Sequence, residues 1–318
     1  MYVIGVDGGG TKTKAILAND RGEVLGEKEI GQSNYQIIGR ENFKKTIIGL
    51  INDLIKDSRI EKGKISKVSL GLAGVGRENE KKDVQNILRD AGFYSIVEND
   101  AVIALIGALG GKSGVVIIAG TGSIALGKNE SNEIARAGGW GYILGDEGSG
   151  FYIGKNALIY ALKEYDGRGK KTILTEMIKQ NLKISNTEEV IPMVYSGKLT
   201  RAGIADLAKL VFKAARTGDK IANVILDKAG NELGLLAYAV IKRLKFKSKE
   251  VDIGLVGGIF KEKEYLLEPI KSVIPYNINF KEPRFSPVVG ALLMGLETIN
   301  EDILGRLDFE VVKYKLWA

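Results

Sequence analysis

The chain has 318 residues, with 46 Lys and Arg against 39 Asp and Glu for a net charge of +7, and it is 45% hydrophobic and 27% charged. That length and balance suit two soluble domains and exclude wholesale disorder. With no Cys and no His, disulfides, thiolate nucleophiles, thiolate-held zinc or iron–sulfur centres and imidazole chemistry are excluded. Catalysis falls to carboxylates, hydroxyls, lysines, backbone amides or a hard cation. No run of about 18 apolar residues occurs, and Met1-Tyr2-Val3-Ile4 lacks a secretory leader, so a cytoplasmic location is expected. The basic run Lys242 to Lys249 is read as cations at the carbonyl end of a helix rather than as a nucleic-acid footprint. The expected partners are small molecules, with no nucleic acid and no membrane.

In chain order, Tyr2 to Val6, Thr13 to Leu17 and Val24 to Ile30 read as short strands joined by tight turns, hence antiparallel hairpins. From Arg40 to Asp57, Phe43, Ile47, Leu50, Ile51, Leu54 and Ile55 recur at helical spacing and predict a helix with one apolar face over that sheet. Strand-like runs at Val68 to Leu72 and Tyr94 to Val97 flank a polar helix from about Arg77 to Ala91, the alternation of parallel crossover units. Gly110-Gly111-Lys112-Ser113-Gly114 marks a change of composition and divides the chain into domains 1–112 and 113–318. Beyond it, Val115 to Ala119 reads as a buried strand. Helical patterns follow at Ser149 to Lys163, Arg201 to Ala215 and Ala222 to Arg243, then a strand at Val251 to Val256. A last helix, Pro287 to Ile299, is free to fold back on the first domain, and the tail Phe309 to Ala318 packs on a partner or frays. Strand, glycine turn and helix succeed one another in both halves, a repeat of architecture without a sequence period.

Asp7-Gly8-Gly9-Gly10-Thr11-Lys12-Thr13 lies between two strands, so it forms a hairpin loop whose N–H groups suit an anion, above all phosphate. Walker and dinucleotide spacings are missing, and a strand follows where those motifs place a helix. The competing reading is a plain glycine turn braced by Asp7. Gly120-Thr121-Gly122-Ser123 repeats the hairpin logic, and the two loops are expected to grip one nucleotide across a cleft. Gly254-Leu255-Val256-Gly257-Gly258 lets backbone approach a flat ligand such as adenine. Asp100 follows a strand, where ligands of open α/β sheets gather. It is read as a helix N-cap, as a base for a substrate hydroxyl, or as both. Gly138 to Gly150 is too glycine-rich for core and reads as a shaped binding loop, in which Asp146 and Glu147 cap the next helix or hold sugar hydroxyls. Ser33-Asn34-Tyr35-Gln36 suits a polar, acetamido-bearing ligand, although taken alone it is an ordinary turn.

These motifs, in order over nearly the whole chain, resemble the N-acetylglucosamine kinase branch of the BadF/BadG/BcrA/BcrD ATPase family, within the actin-like sugar kinases. The resemblance implies an α/β fold of two ribonuclease-H-like domains, with mixed sheets flanked by helices and a cleft between them. It implies ATP and Mg²⁺ as cofactors, with Asp7 organising the metal through water. Gly9, Gly10, Thr11, Lys12, Thr121, Gly122, Ala215, Gly257 and Gly258 would lie by ATP. Asn34, Asp100, Ser123, Gly139, Trp140, Gly141 and Asp146 would lie by the sugar, with Asp100 as base. Since members are often dimeric, it also implies a homodimer. Ile124 departs from members that carry Asn there. The zinc and Glu-x-Gly-His motifs of the repressor–kinase glucokinases are absent, and without Cys the iron–sulfur activators under the same family label are excluded.

The activity so implied is transfer of phosphate from ATP to the 6-hydroxyl of N-acetylglucosamine or a close amino sugar. Glucosamine, N-acetylmuramate and a broad hexokinase specificity are alternatives within the enzyme class, and a nucleotide-dependent switch or assembly protein is the alternative outside it.

Overall fold

The structure is a computed structural model and describes residues 1–297. Its described residues divide into two units, one of residues 1–114 with 281–297 and one of residues 115–280.

In the first unit β1 (Tyr2–Gly8), β2 (Lys12–Asn19) and β3 (Val24–Gly31) form a meander. A short helix α1 (Tyr35–Ile38) and the long α2 (Arg40–Asp57) come next, then β4 (Ile65–Leu72), α3 (Glu78–Asp90), β5 (Ser95–Asn99) and α4 (Asp100–Leu109). The sheet order is β3-β2-β1-β4-β5, with β1 antiparallel to β2 and parallel to β4. β1 and β2 are rich in β-branched and aliphatic residues and are buried centrally. The edge strand β3 alternates half-buried with exposed residues and carries charges, pairing Lys28 with Asp57 at 2.8 Å, which discourages edge-to-edge association. The six apolar residues expected on α2 are its buried stripe, packed in one cluster with Ile4, Val6, Leu17 and Leu70.

In the second unit β6 (Gly114–Ala119), β7 (Ser123–Lys128) and β8 (Ile134–Gly138) form another meander. Helices α5 (Gly150–Tyr165), α6 (Leu174–Leu182), α7 (Val190–Tyr195), α8 (Arg201–Asp206), α9 (Ala208–Arg216) and α10 (Lys220–Leu244) follow. Then come β9 (Glu250–Val256), a 3-10 segment Gly258–Tyr265, α11 (Leu267–Ser272) and β10 (Asn277–Lys281). The order β8-β7-β6-β9-β10 repeats that of the first sheet, again with the fourth strand parallel to the first, as Val115 faces Ile253. The repeat of architecture is therefore a repeat of topology. Two sequence expectations are refined here. The pattern from Arg201 to Ala215 is two helices broken at Leu207, and the basic run closes α10, where Lys245 takes the left-handed cap at φ +48°.

The last helix, α12 (Pro287–Glu297), belongs to the first unit, so the second unit ends at Phe280 and the first is discontinuous. Residues Val288 to Leu296 are buried on every side, as are Ala101 to Leu109 of α4, and a helix apolar all round needs cover on all faces. It finds it where glycines let backbones meet. A Cβ on Gly290 would lie 1.9 Å from the Ile103 carbonyl oxygen, and one on Gly5 would lie 2.6 Å from Leu292 N. Ile299 and the tail 309–318 lie outside the described residues. Among those described, no helix is long and apolar enough to cross a membrane.

Gly290→Ala should therefore destabilise the protein by about 1–3 kcal/mol through overpacking. Gly49→Ala, on an exposed turn of α2 with nothing within 4 Å of the new methyl, should stabilise it by about 0.5–1 kcal/mol. Urea unfolding midpoints of the two variants would shift in opposite directions.

Candidate active site

The parallel strands β1, β4 and β5 end side by side, with Asp7 opposite Gly71, Gly71 opposite Glu98, and Leu72 opposite Asn99. This register places Asp7 and Asp100, the residue after β5, at one sheet edge. Burial pushes the Asp7 carboxyl up to about 6, with the Asp100 charge adding to the rise and Lys12 opposing it. Burial also raises Asp100, against an N–H from Ala101 that favours its charged form. The cap of α4 is Asn99, whose Oδ1 accepts the Ala101 N–H at 3.1 Å. Asp100 is thus the first helical residue, and the N-cap reading belongs to its neighbour.

The β1–β2 hairpin lies at the same edge. Gly9 N–H donates to the Lys12 carbonyl at 3.0 Å, Ser33 N–H donates to the Gly9 carbonyl at 3.1 Å, and Thr13 Oγ1 donates to Ser33 Oγ at 2.6 Å. Gly10, Thr11 and Lys12 are exposed. Gly8 is demanded by packing, since a Cβ there would come 2.5 Å from Leu72 and 2.7 Å from Ser33 Oγ. Asn34 caps α1 by accepting the Gln36 N–H at 3.0 Å. Its Oδ1 would lie 2.5 Å from a Cβ on Gly74, a residue at φ +79° just past β4. Gln36 is tied in turn to Glu80 at 2.7 Å, so the segment carrying Asn34 is anchored to α3.

In the second unit the hairpin Gly120–Gly122 closes with Gly120 N–H donating to the Gly122 carbonyl at 2.9 Å, and Gly150 N–H donates to the Gly120 carbonyl at 2.7 Å. Gly257, at φ +111°, lies so near the end of β6 that a Cβ would meet the Ala119 carbonyl oxygen at 2.3 Å. Between these turns opens a cavity of about 590 Å³, whose walls include Gly120, Thr121, Gly150, Gly258 and Ile259. One face of α8 and α9 contributes Ala205, Ala208, Lys209, Phe212, Lys213 and Arg216 at helical spacing, and the segment after β9 adds Lys261 and Glu262. Lys209, Lys213, Arg216 and Lys261 outnumber the lining carboxylates Asp206 and Glu262, and both acids are paired, Asp206 with Lys209 at 2.7 Å and Glu262 with Arg216. A cavity of this size with surplus positive charge and an apolar wall suits a nucleotide.

The loop from Gly138 to Gly148 holds Gly138, Gly139, Gly141 and Gly148 at positive φ. Trp140 is 62% exposed, with the Arg136 guanidinium 4.6 Å from its ring centre. Gly139 N–H donates to the Ser123 carbonyl at 3.0 Å, and Ser123 Oγ donates to the Glu147 carbonyl at 2.6 Å, so Ser123 ties both ends of the loop to β7. Asp146 is 4% exposed, and its two oxygens accept the Ser123 N–H at 3.2 Å and Arg201 Nη2 at 2.7 Å. Its carboxylate holds the loop to the hairpin, while Ser149 caps α5 by accepting the Tyr152 N–H.

Of the expected nucleotide residues, Thr121 and Gly258 line the cavity. Gly122 packs against Asp146, Gly257 packs against Ala119, and Ala215 is buried in the core. Arg201, Lys209, Phe212, Lys213, Arg216 and Lys261 were not singled out in the sequence. The recurrence at 205, 208, 209, 212, 213 and 216 is the available signal, and by itself it specifies a helix without saying what that helix faces.

Sheets of one order in both units, each opening on a hairpin, define the class as α/β proteins of two ribonuclease-H-like units, the actin-like ATPases and sugar kinases. Within that class the chain belongs to the BadF/BadG/BcrA/BcrD ATPase family, whose model matches residues 4–295. It is 37% identical to an N-acetylmuramic acid/N-acetylglucosamine kinase of Clostridium acetobutylicum, over 88% of this chain and 91% of the relative. It is 35% identical to an N-acetyl-D-glucosamine kinase of Dictyostelium discoideum, over 93% and 98% of the two chains. A crystal structure from Chromobacterium violaceum, of a protein inferred to be an N-acetylglucosamine kinase, is similar at a TM-score of 0.70 and 29% identity, covering 92% of this chain and 98% of that one.

A carboxyl titrating at about 6 when folded and at its ordinary 3.8 when unfolded costs nothing below the lower value and its full penalty above the higher one. For Asp7 that penalty reaches about 3 kcal/mol. Asp7→Asn should therefore stabilise the ligand-free protein at pH 7, with the gain shrinking toward zero at pH 4, as urea unfolding at the two pH values would record.

Proposed function

We propose that the chain is an ATP-dependent sugar kinase that transfers the γ-phosphate of ATP to the 6-hydroxyl of N-acetylglucosamine or a close amino sugar. The observation that carries the chemistry is the Asp100 carboxylate, placed at the strand edge beside Asp7 with its proton affinity raised by burial. The substrate class is supported by the two curated relatives, both named for N-acetylglucosamine and both matched over most of their length.

Phosphoryl transfer asks a protein mainly for positioning and for neutralisation of charge. In this reading the amides of Gly10, Thr11 and Lys12 and those of Thr121 and Gly122 face the phosphates, and Gly9, whose N–H is spent on the Lys12 carbonyl, shapes the turn. Gly257 and Gly258 give the nucleoside a close backbone approach, while Lys213 and Lys261 attract the polyanion. Asn34, Ser123, Gly139, Trp140 and Gly141 hold the sugar, and Asp146 contributes through the loop it fixes. The 6-hydroxyl oxygen forms the new bond to the γ-phosphorus, the bond from that phosphorus to ADP breaks, and the hydroxyl proton passes to Asp100. A raised proton affinity makes Asp100 a better acceptor near neutral pH than an ordinary carboxylate.

Mg²⁺ fits the residues present. Asp7 is an oxygen donor whose charge burial and Asp100 disfavour, a condition that a nearby divalent cation relieves, and Mg²⁺ needs only one or two protein carboxylates because it keeps its waters. Asp7 would hold it through water, and the ion would neutralise phosphate charge.

ADP release should depend on an added amino sugar, and a panel of N-acetylglucosamine, N-acetylmuramate, glucosamine and glucose would rank the acceptors. Nucleotide hydrolysis indifferent to every sugar would favour a switch instead. Asp100→Asn should lower kcat by about 10²–10⁴-fold with affinity for a non-hydrolysable ATP analogue little changed, and near-normal turnover would remove Asp100 from its role as base. Replacing both Lys213 and Lys261 by Ala should raise the KM for ATP and leave that for the sugar nearly unchanged.

A further inference from the structure

Three segments of the second unit meet at one ion pair. Asp146 stands at φ +62°, where a side chain is strained, and is buried with one oxygen on the Ser123 N–H and the other on Arg201 Nη2. A Cβ on Gly122 would lie 2.8 Å from Asp146 Oδ1 and 3.0 Å from Arg201 Nη2. The pair therefore lies directly against the hairpin whose Thr121 lines the cavity. The Arg201 guanidinium also lies 5.2 Å from the centre of the Tyr142 ring, and Tyr142 meets Phe151 edge to face at 5.2 Å. Arg201 opens α8, and Ala202 and Ala205 of that helix line the cavity. α8 packs backbone to backbone on α5, so closely that a Cβ on Gly154 of α5 would fall 1.8 Å from the Ile204 carbonyl oxygen.

One planar group thus joins the wall of the nucleotide cavity to two points of the Trp140 loop, by a hydrogen-bonded pair to Asp146 and by stacking on Tyr142. We propose that Arg201 is a positioning residue that couples the two substrates, so that a nucleotide seated against α8 sets the conformation in which the Gly138–Gly150 loop binds the sugar. This inference rests on the sugar-kinase reading and adds cooperativity to it. Arginine suits the task where lysine does not, since a guanidinium forks and stacks while an ammonium is a point charge. The coupling is reciprocal, so either ligand reports it.

The test is calorimetric titration of N-acetylglucosamine with and without a saturating non-hydrolysable ATP analogue and Mg²⁺, for wild type, Arg201→Lys and Arg201→Met. In wild type the analogue should tighten sugar binding about fivefold or more, and in both variants that factor should fall close to one. Arg201→Met leaves the buried Asp146 without a cation and risks misfolding, so Arg201→Lys, checked by an unchanged thermal midpoint, decides the matter. A bracing role alone would lower the midpoint and leave the factor intact. A wild-type factor of one, or full coupling in folded Arg201→Lys, would overturn the inference and leave the kinase reading standing. A wild type that binds the analogue but none of the four sugars would overturn both.

Discussion

A carboxylate kept from water beside a second carboxylate favours a proton or a cation, and the edge of the first sheet holds Asp7 in that state. The parallel ends of β1, β4 and β5 bring Asp7 and Asp100 to one edge, and the exposed hairpin at Gly10 to Lys12 lies there as well. No thiol or imidazole exists in the chain to share the work. The arrangement costs stability at neutral pH, a cost that a nearby charge of the opposite sign would relieve.

Close approach is the second constraint, and it explains glycines in turns and helices alike. Gly257 lies against the end of β6, Gly122 against the Asp146–Arg201 pair, Gly154 against α8, and Gly290 against α4. In each place a side chain would separate two segments that must touch. The cavity in the second unit opens where the hairpin, the start of α5 and the turn after β9 converge: Gly150 N–H donates to the Gly120 carbonyl at 2.7 Å, and a Cβ on Gly150 would lie 3.0 Å from that oxygen.

Much of this was legible in the sequence for local reasons. The stripe on α2 and the hairpins of β1 to β3 follow from periodicity and turn residues within a few positions of each other. The glycine loops and Asp100 stood out because their composition suits no core. The break at Leu207 left no mark, since Ala, Leu and Lys on either side all favour helix. The cationic wall was hidden for a related reason: Lys209 and Lys213 on an amphipathic helix look like a solvated face until another element folds over them.

By itself the sequence determined the alternation of strands and helices, the duplicated architecture, the glycine-rich loops that suit no core, and the exclusion of thiol and imidazole chemistry, because each depends on residue type and near-neighbour spacing. Only the tertiary structure decided that α12 returns to the first unit, that Asp146 is consumed by Ser123 and Arg201, and that α9 faces a cavity. Those outcomes depend on which surfaces meet across 20 to more than 180 positions of chain, as between Ser123 and Asp146 or Ile103 and Gly290. Local propensity carries no information about contacts at such separations, which the packing of backbone against backbone selects.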